Sequence, residues 1–112
     1  MLTGRFGIEI ELTGITKDEA ATVVKNIVGG VIQNTRDSYY TRKIYATDGR
    51  VWKVMNDASI RKIDARGEST YDNNYSVELV SPILTEEDLD TIQTIARELR
   101  KIGGKTNESC GI

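Results

Sequence analysis

The stretch Arg5-Phe6-Gly7-Ile8-Glu9-Ile10-Glu11-Leu12 has its apolar side chains on one parity, with glycine and two glutamates between them. A period of two predicts a β-strand with one buried face. Glu9 and Glu11 then project side by side from the other face, roughly 7 Å apart. Two carboxylates in this arrangement can hold a cation. They can also simply form a solvated face, which is the commoner pattern in half-buried antiparallel strands.

The composition indicates one domain over residues 1–112 and excludes several kinds of function. Of its 112 residues, 38% are hydrophobic and 29% charged, and the net charge of −2 provides no general attraction to nucleic acid or anionic membrane. No stretch approaches the ~20 apolar residues of a membrane-spanning helix. The single cysteine, Cys110, fits a reducing, cytoplasmic compartment. Histidine is absent, so carboxylates must carry most of any chemistry.

Two segments carry the signals of amphipathic helices. Thr16 and Glu19 form a capping-box pattern and Gly29-Gly30 ends the apolar periodicity, which predicts a helix over residues 17–28. The same start recurs at Thr85, and a second glycine pair ends the segment that follows. The apolar stripe of this second helix comprises Leu89, Ile92, Ile95, Ala96, Leu99 and Ile102.

The remaining segments predict strands and one irregular region. The further strand candidates are residues 31–33, 39–46, 51–56 and 75–83. Asp48-Gly49 predicts a hairpin turn between the second and third of these. Residues 57–75 are polar and irregular, with a weak strand at 59–63. The sum is an α+β fold, in which two helices cover one face of a mostly antiparallel sheet and leave the other face open.

Four segments, taken in this order and spacing, resemble the amidoligase family. They are Gly7–Glu11, Trp52–Ser59, Val77–Leu84 and Asn107–Gly111. The most specific part is Val-Glu-Leu-Val-Ser-Pro-Ile-Leu followed by a capped helix and Asn-Glu-Ser-Cys-Gly. This family belongs to the carboxylate–amine ligase superfamily of glutamine synthetase and glutamate–cysteine ligase.

The resemblance implies formation of an amide or isopeptide bond, with ATP and Mg²⁺ as cofactors and an acyl phosphate as intermediate. The substrates would be small-molecule or peptide carboxylates and amines, and the sheet would be half of a glutamine synthetase-like catalytic domain. Glu9, Glu11 and Glu78 match the glutamates that hold the metal. The site residues implied for substrate or nucleotide contact are Asn107, Ser109 and Gly111.

Other side chains near these motifs have two interpretations each. Asp57 and Ser59 follow the tryptophan strand and are candidates for substrate or nucleotide contact, although both residue types also form turns by bonding their own backbone. Trp52 is expected in the core. Phosphoryl transfer needs positive charge near the phosphates. Lys53 and Arg42 are candidates for that charge, and the pattern does not decide between them.

In the family the last motif continues into a His-x-His strand, whereas this sequence stops at Ile112. We therefore expect an N-terminal piece of such a domain, catalytically silent alone and prone to self-association through its open face.

One alternative function is that of a metal-dependent phosphodiester hydrolase, since paired carboxylates also hold Mg²⁺ for that chemistry. Another is a non-catalytic interaction domain. The acidic net charge and the lack of a basic stripe argue against the hydrolase.

Overall fold

A computed structural model describes residues 4–106, which form five strands and two α-helices. The elements are β1 (Glu9–Leu12), α1 (Lys17–Val28), β2 (Val31–Asn34), β3 (Arg42–Tyr45), β4 (Val51–Met55), β5 (Val77–Val80) and α2 (Leu89–Lys101). Short 3₁₀ turns occupy Asn73–Tyr75 and Glu86–Asp88. The predicted α+β class is confirmed. Neither α-helix is long and apolar enough to cross a membrane, judged over the residues that the structure describes.

The five strands form one sheet in the order β1-β5-β4-β3-β2, and every neighbouring pair is antiparallel. The first strand therefore lies beside the last one, and β4 is at the centre. In this register Glu11 is the direct partner of Glu78, and Glu9 is the partner of Val80. Met55 of β4 is opposite Glu78 on its other side. Sheet order thus brings together residues that are far apart along the chain.

The two helices cover one face of this sheet, as predicted. Trp52 and Val54 are 1% and 0% exposed on that face, which confirms the core position expected for the tryptophan. Alternation along each strand sends the neighbours of these residues to the opposite face. The core between sheet and helices contains Leu12, Ala20, Val24, Ile44, Trp52, Val54, Val77, Leu79, Ile95 and Leu99.

The helix starts follow the sequence signals. Thr16 Oγ1 accepts a hydrogen bond from the Glu19 N–H at 3.1 Å, and the Glu19 carboxylate accepts one from the Thr16 N–H at 2.9 Å. This reciprocal cap fixes α1 at the predicted boundary. At the second start the Thr85 N–H donates to Asp88 at 2.9 Å, and a 3₁₀ turn precedes the α-helix proper. Arg50 donates to both carboxylate oxygens of Asp88, which ties the β3–β4 turn to this start.

The predicted strand at 39–46 begins only at Arg42, which corrects that boundary. The Asp37 carboxylate accepts hydrogen bonds from the N–H groups of Tyr39 and Thr41 at 3.1 and 3.0 Å. This local turn competes with strand pairing. Tyr40 has φ 54°, and both Tyr39 and Tyr40 are more than half exposed. Neither tyrosine therefore belongs to the strand that was predicted over residues 39–46.

The irregular segment after β4 contains no strand at 59–63, and the weak prediction there was wrong. Instead the segment folds back and is anchored at the end of β1. The fully buried Thr13 hydroxyl accepts from the Ile63 N–H at 2.9 Å and donates to the Ile63 carbonyl at 3.2 Å. Thr13 continues the parity of Glu9 and Glu11, so this segment covers one end of the face that was expected to be open.

A buried lysine anchors the other end of the same segment. Lys17 is 1% exposed at the start of α1, and its Nζ donates to the Asn73 carbonyl. The ammonium lies 5.8 Å from the centre of the Tyr40 ring, within the range of a cation–π contact. Burial lowers the pKa of Lys17 to about 8, helped by the charge of Arg42. This contact holds the 3₁₀ turn just before β5 against the helix layer.

Candidate metal centre

Three carboxylates meet at one point of the structure. Glu11, Asp57 and Glu78 each offer an oxygen, and these oxygens all lie within 4.8 Å of one another. Glu11 and Glu78 come together because they are cross-strand partners in the β1–β5 ladder. Asp57 lies two residues beyond the end of β4, whose last residue, Met55, is opposite Glu78. All three side chains are half-buried, so the cluster is neither a core feature nor a fully solvated patch.

The backbone of Asp57 is held by a buried serine of the neighbouring segment. Ser76 is fully buried, and its Oγ accepts from the Asp57 N–H at 2.8 Å and donates to the Asp57 carbonyl at 2.7 Å. Ser59 orients the carboxylate, because its N–H and hydroxyl both donate to Asp57 Oδ1, at 2.9 and 2.7 Å. The turn chemistry weighed for Asp57 and Ser59 is therefore present, and it coexists with a place in the cluster.

Burial and the neighbouring carboxylates together change the ionisation of Glu78. Burial, first, and then the charges of Glu9 and Asp57, a hydrogen bond with Glu9 and the charge of Glu11 together raise the pKa of Glu78 from 4.5 to about 7. Near neutral pH both the protonated and the ionised forms of the Glu78 carboxyl are therefore populated. A cation at the cluster would favour the ionised form and relieve the repulsion.

A family model described as "Putative amidoligase enzyme" matches residues 2–112. The chain belongs to this amidoligase family. The match confirms the resemblance drawn from the four sequence segments, and it supports a ligase function for the chain. No curated protein and no solved structure matches the sequence.

Of the three metal ligands predicted from the amidoligase sequence, two belong to this cluster and the third lies beside it. Glu11 and Glu78 are in the cluster, and Glu9 lies at its rim, exposed and opposite Val80. Asp57 was expected to contact substrate or nucleotide, but it shares the cluster with the two glutamates. Metal binding by these residues stays a prediction. The remaining predicted contacts, Asn107, Ser109 and Gly111, lie outside the described residues.

The sequence did not predict that Asp57 lies beside Glu11 and Glu78. The available signal was its position just after a strand, at the point where the chain leaves the sheet. That position predicts a loop at a sheet end, where functional residues are common. It does not say which other strand is adjacent, and only the order β1-β5-β4 supplies that neighbour.

The two basic residues that were candidates for phosphate contact, Arg42 and Lys53, lie on different faces of the sheet. Arg42 Nε donates to Asp18 Oδ1 at 2.8 Å, at the start of α1, so this guanidinium is engaged on the helix side of the sheet. Lys53 lies between the buried Trp52 and Val54 and so projects from the opposite face, which carries the glutamates. Lys53 is therefore the candidate that shares a face with the carboxylate cluster.

The donor set at the cluster fits magnesium. Mg²⁺ prefers hard oxygen ligands in an octahedron and keeps several waters when few carboxylates bind it. Glu11 and Glu78 are carried by paired strands and Asp57 by a hydrogen-bonded turn, so the oxygens are positioned before any ion arrives. A groove of about 700 Å³ runs along β1 and is bordered by Glu9 and Glu11.

Proposed function

We propose that this chain carries the cation site of an ATP- and Mg²⁺-dependent carboxylate–amine ligase, which joins an acid to an amine through an acyl phosphate. The observation that supports the proposal best is the convergence of Glu11, Asp57 and Glu78 in a chain of the amidoligase family. We propose further that the five-stranded sheet corresponds to half of a glutamine synthetase-like catalytic sheet.

Magnesium at such a site supplies charge neutralisation for nucleotide phosphates and for the group in transfer. The contribution of the chain is to position and to hold charge. Glu11 and Glu78 present oxygens from adjacent strands, and the buried Ser76 fixes the backbone of Asp57 beside them. Glu78 would release its proton on binding a cation, because its raised pKa reflects burial and like charges that the ion would compensate.

The test is calorimetric titration of the protein with ATP, with and without Mg²⁺, at pH 8. Binding is expected with Mg²⁺ and is expected to weaken at least tenfold in Glu11→Gln and Glu78→Gln, since each removes a ligand charge. Glu98→Gln is the matched control, because Glu98 lies on α2 and pairs with Lys101. ATP binding of equal strength without Mg²⁺, or in both site variants, would contradict the proposal.

A turnover assay, run on a protein that carries this chain together with the His-x-His strand of the family, then separates the ligase from the hydrolase alternative. ADP release that needs both a carboxylic acid and an amine supports the ligase. Metal-dependent cleavage of a phosphodiester without ATP would instead identify a hydrolase, since paired carboxylates can support that reaction as well.

A further inference from the structure

Two lysines face each other on the same side of the sheet as the carboxylate cluster. Lys43 and Lys53 are direct partners in the β3–β4 ladder. Lys53 is exposed between the two buried residues Trp52 and Val54, so its side chain leaves the core side of the sheet. Residues directly opposite in an antiparallel pair have Cβ atoms roughly 5 Å apart. The two ammonium groups therefore project together from neighbouring strands.

This pairing is unfavourable unless something compensates the charge, because like charges directly opposite destabilise a sheet. Within residues 4–106 no carboxylate forms an ion pair with Lys43 or Lys53. The neighbouring strand and turn cations differ in this respect, since Arg42 binds Asp18 and Arg50 binds Asp88. The positive charge of the lysine pair is thus left available to a ligand.

Protection of a sheet edge does not explain the pair. Lysine commonly protects exposed edge strands from pairing with other chains. However, β4 is the central strand and β3 lies between β4 and β2, so neither lysine is on an edge. Their charges instead project from the middle of the sheet face.

The lysine pair lies close to the carboxylate cluster. Lys53 is opposite Val80, and Val80 is opposite Glu9, so the lysine is two strands away from β1 on the same face. Adjacent strands are about 4.8 Å apart, which puts the backbone of Lys53 roughly 10 Å from that of Glu9. A multiply charged ligand of this length has room to contact the lysines at one end and a cation on the carboxylates at the other.

We propose that Lys43 and Lys53 form an anion site for the polyphosphate of a nucleotide. The nucleotide assignment rests on the proposed function, whereas the charge argument requires only an extended, multiply charged oxyanion. Lysine suits this role because its ammonium is a mobile point charge with three donors. Two adjacent ammonium groups favour tripolyphosphate over inorganic phosphate, because more than one phosphate group can be contacted.

The first measurement is titration of the metal-free protein with tripolyphosphate at low ionic strength. Lys43→Met and Lys53→Met, which keep chain length and remove charge, should each weaken binding about five- to tenfold. Lys53→Arg, which keeps the charge, should stay within about twofold of the unmodified protein. The matched control is Lys101→Met, since Lys101 pairs with Glu98 on α2. Unchanged binding in both site variants, or an equal loss in the control, would overturn the site.

The second measurement separates this site from the proposed function. Binding of Mn²⁺ alone to the carboxylate cluster should be unaffected by Lys53→Met. If Mn²⁺ does not bind while tripolyphosphate still depends on the lysines, the cation site fails and the anion site stands. If Lys53→Met weakens tripolyphosphate but leaves Mg²⁺–ATP binding unchanged, the nucleotide assignment is overturned. Equal loss for both ligands supports it.

Discussion

Replacing Glu78 by glutamine should stabilise the metal-free protein above neutral pH. Burial and the neighbouring carboxylates raise the pKa of Glu78 from 4.5 to about 7, so the ionised form is disfavoured in the folded state. Glutamine has nearly the same shape and carries no charge. The substitution therefore removes the repulsion with Glu9, Glu11 and Asp57 and keeps the packing of the side chain.

The size and sign of the effect follow from proton linkage. Between pH 4.5 and about 7 the folded protein holds a proton on Glu78 that the unfolded chain releases. Stability from this group is therefore fully present at low pH and is lost as the pH rises through about 7. The full shift corresponds to about 3 kcal/mol. Partial solvent exposure reduces the expected loss to about 1–2 kcal/mol.

The assay is urea denaturation of both proteins with EDTA present, at pH 5, 6, 7 and 8. The free energy of unfolding of Glu78→Gln should match that of the unmodified protein near pH 5 and exceed it by about 1–2 kcal/mol at pH 8. Mg²⁺ should then stabilise the unmodified protein more than the variant, because only the former keeps the ligand. A variant that is less stable at pH 8, or a difference that is equal at pH 5 and pH 8, would refute the reasoning.

Two further predictions concern the scaffold. Gly30→Ala should destabilise the fold by more than about 3 kcal/mol, because φ is +87° and a Cβ would lie 1.7 Å from a backbone oxygen of Tyr45. Gly49→Ala, with φ +89° and no atom within 4 Å of the new Cβ, should cost only about 1–2 kcal/mol, and thermal melts of the two compare them. Arg50→Met should lower the free energy of unfolding by about 1–2 kcal/mol, because Asp88 loses a two-oxygen partner. An unchanged free energy of unfolding for Arg50→Met would show that the hydrogen bonds from Arg50 to Asp88 do not stabilise the fold.

Local signals in the sequence predicted the helices well because their physical causes are local. The reciprocal bonds between Thr16 and Glu19 lie within one turn, so the capping box and the following glycines define α1 without information from elsewhere. The start of the strand after residue 38 was misplaced for a related reason. Asp37 bonds the backbone of Tyr39 and Thr41, and this turn overrides the strand preference of tyrosine.

The carboxylate cluster could be predicted only in part, because it depends on contacts between distant segments. Alternation placed Glu9 and Glu11 on one face of a strand. The antiparallel neighbour of that strand, and the register that aligns Glu11 with Glu78, follow from the sheet order. Asp57 joins through hydrogen bonds to a serine 19 residues further along the chain. No local pattern encodes that contact.

The side of the sheet on which a charged residue projects was also decided by packing. Arg42 and Lys53 were equal candidates from sequence because both are basic residues in strands. Lys53 alternates with the buried Trp52 and Val54 and so lies on the face with the glutamates, whereas Arg42 shares the parity of the buried Ile44 and pairs with Asp18 on the helix side. Alternation separates the two residues once the buried face of each strand is known, and the position of the helix layer decides which face that is.

The most direct test of the metal centre is a titration of the isotope-labelled protein with Mn²⁺, followed residue by residue through paramagnetic broadening of amide signals. We predict that broadening begins at Glu11, Asp57 and Glu78 and their immediate neighbours, at sub-stoichiometric Mn²⁺, and that excess Mg²⁺ reverses it. Broadening spread evenly over the acidic residues, or centred on exposed acids such as Glu98, would contradict a metal centre at this cluster.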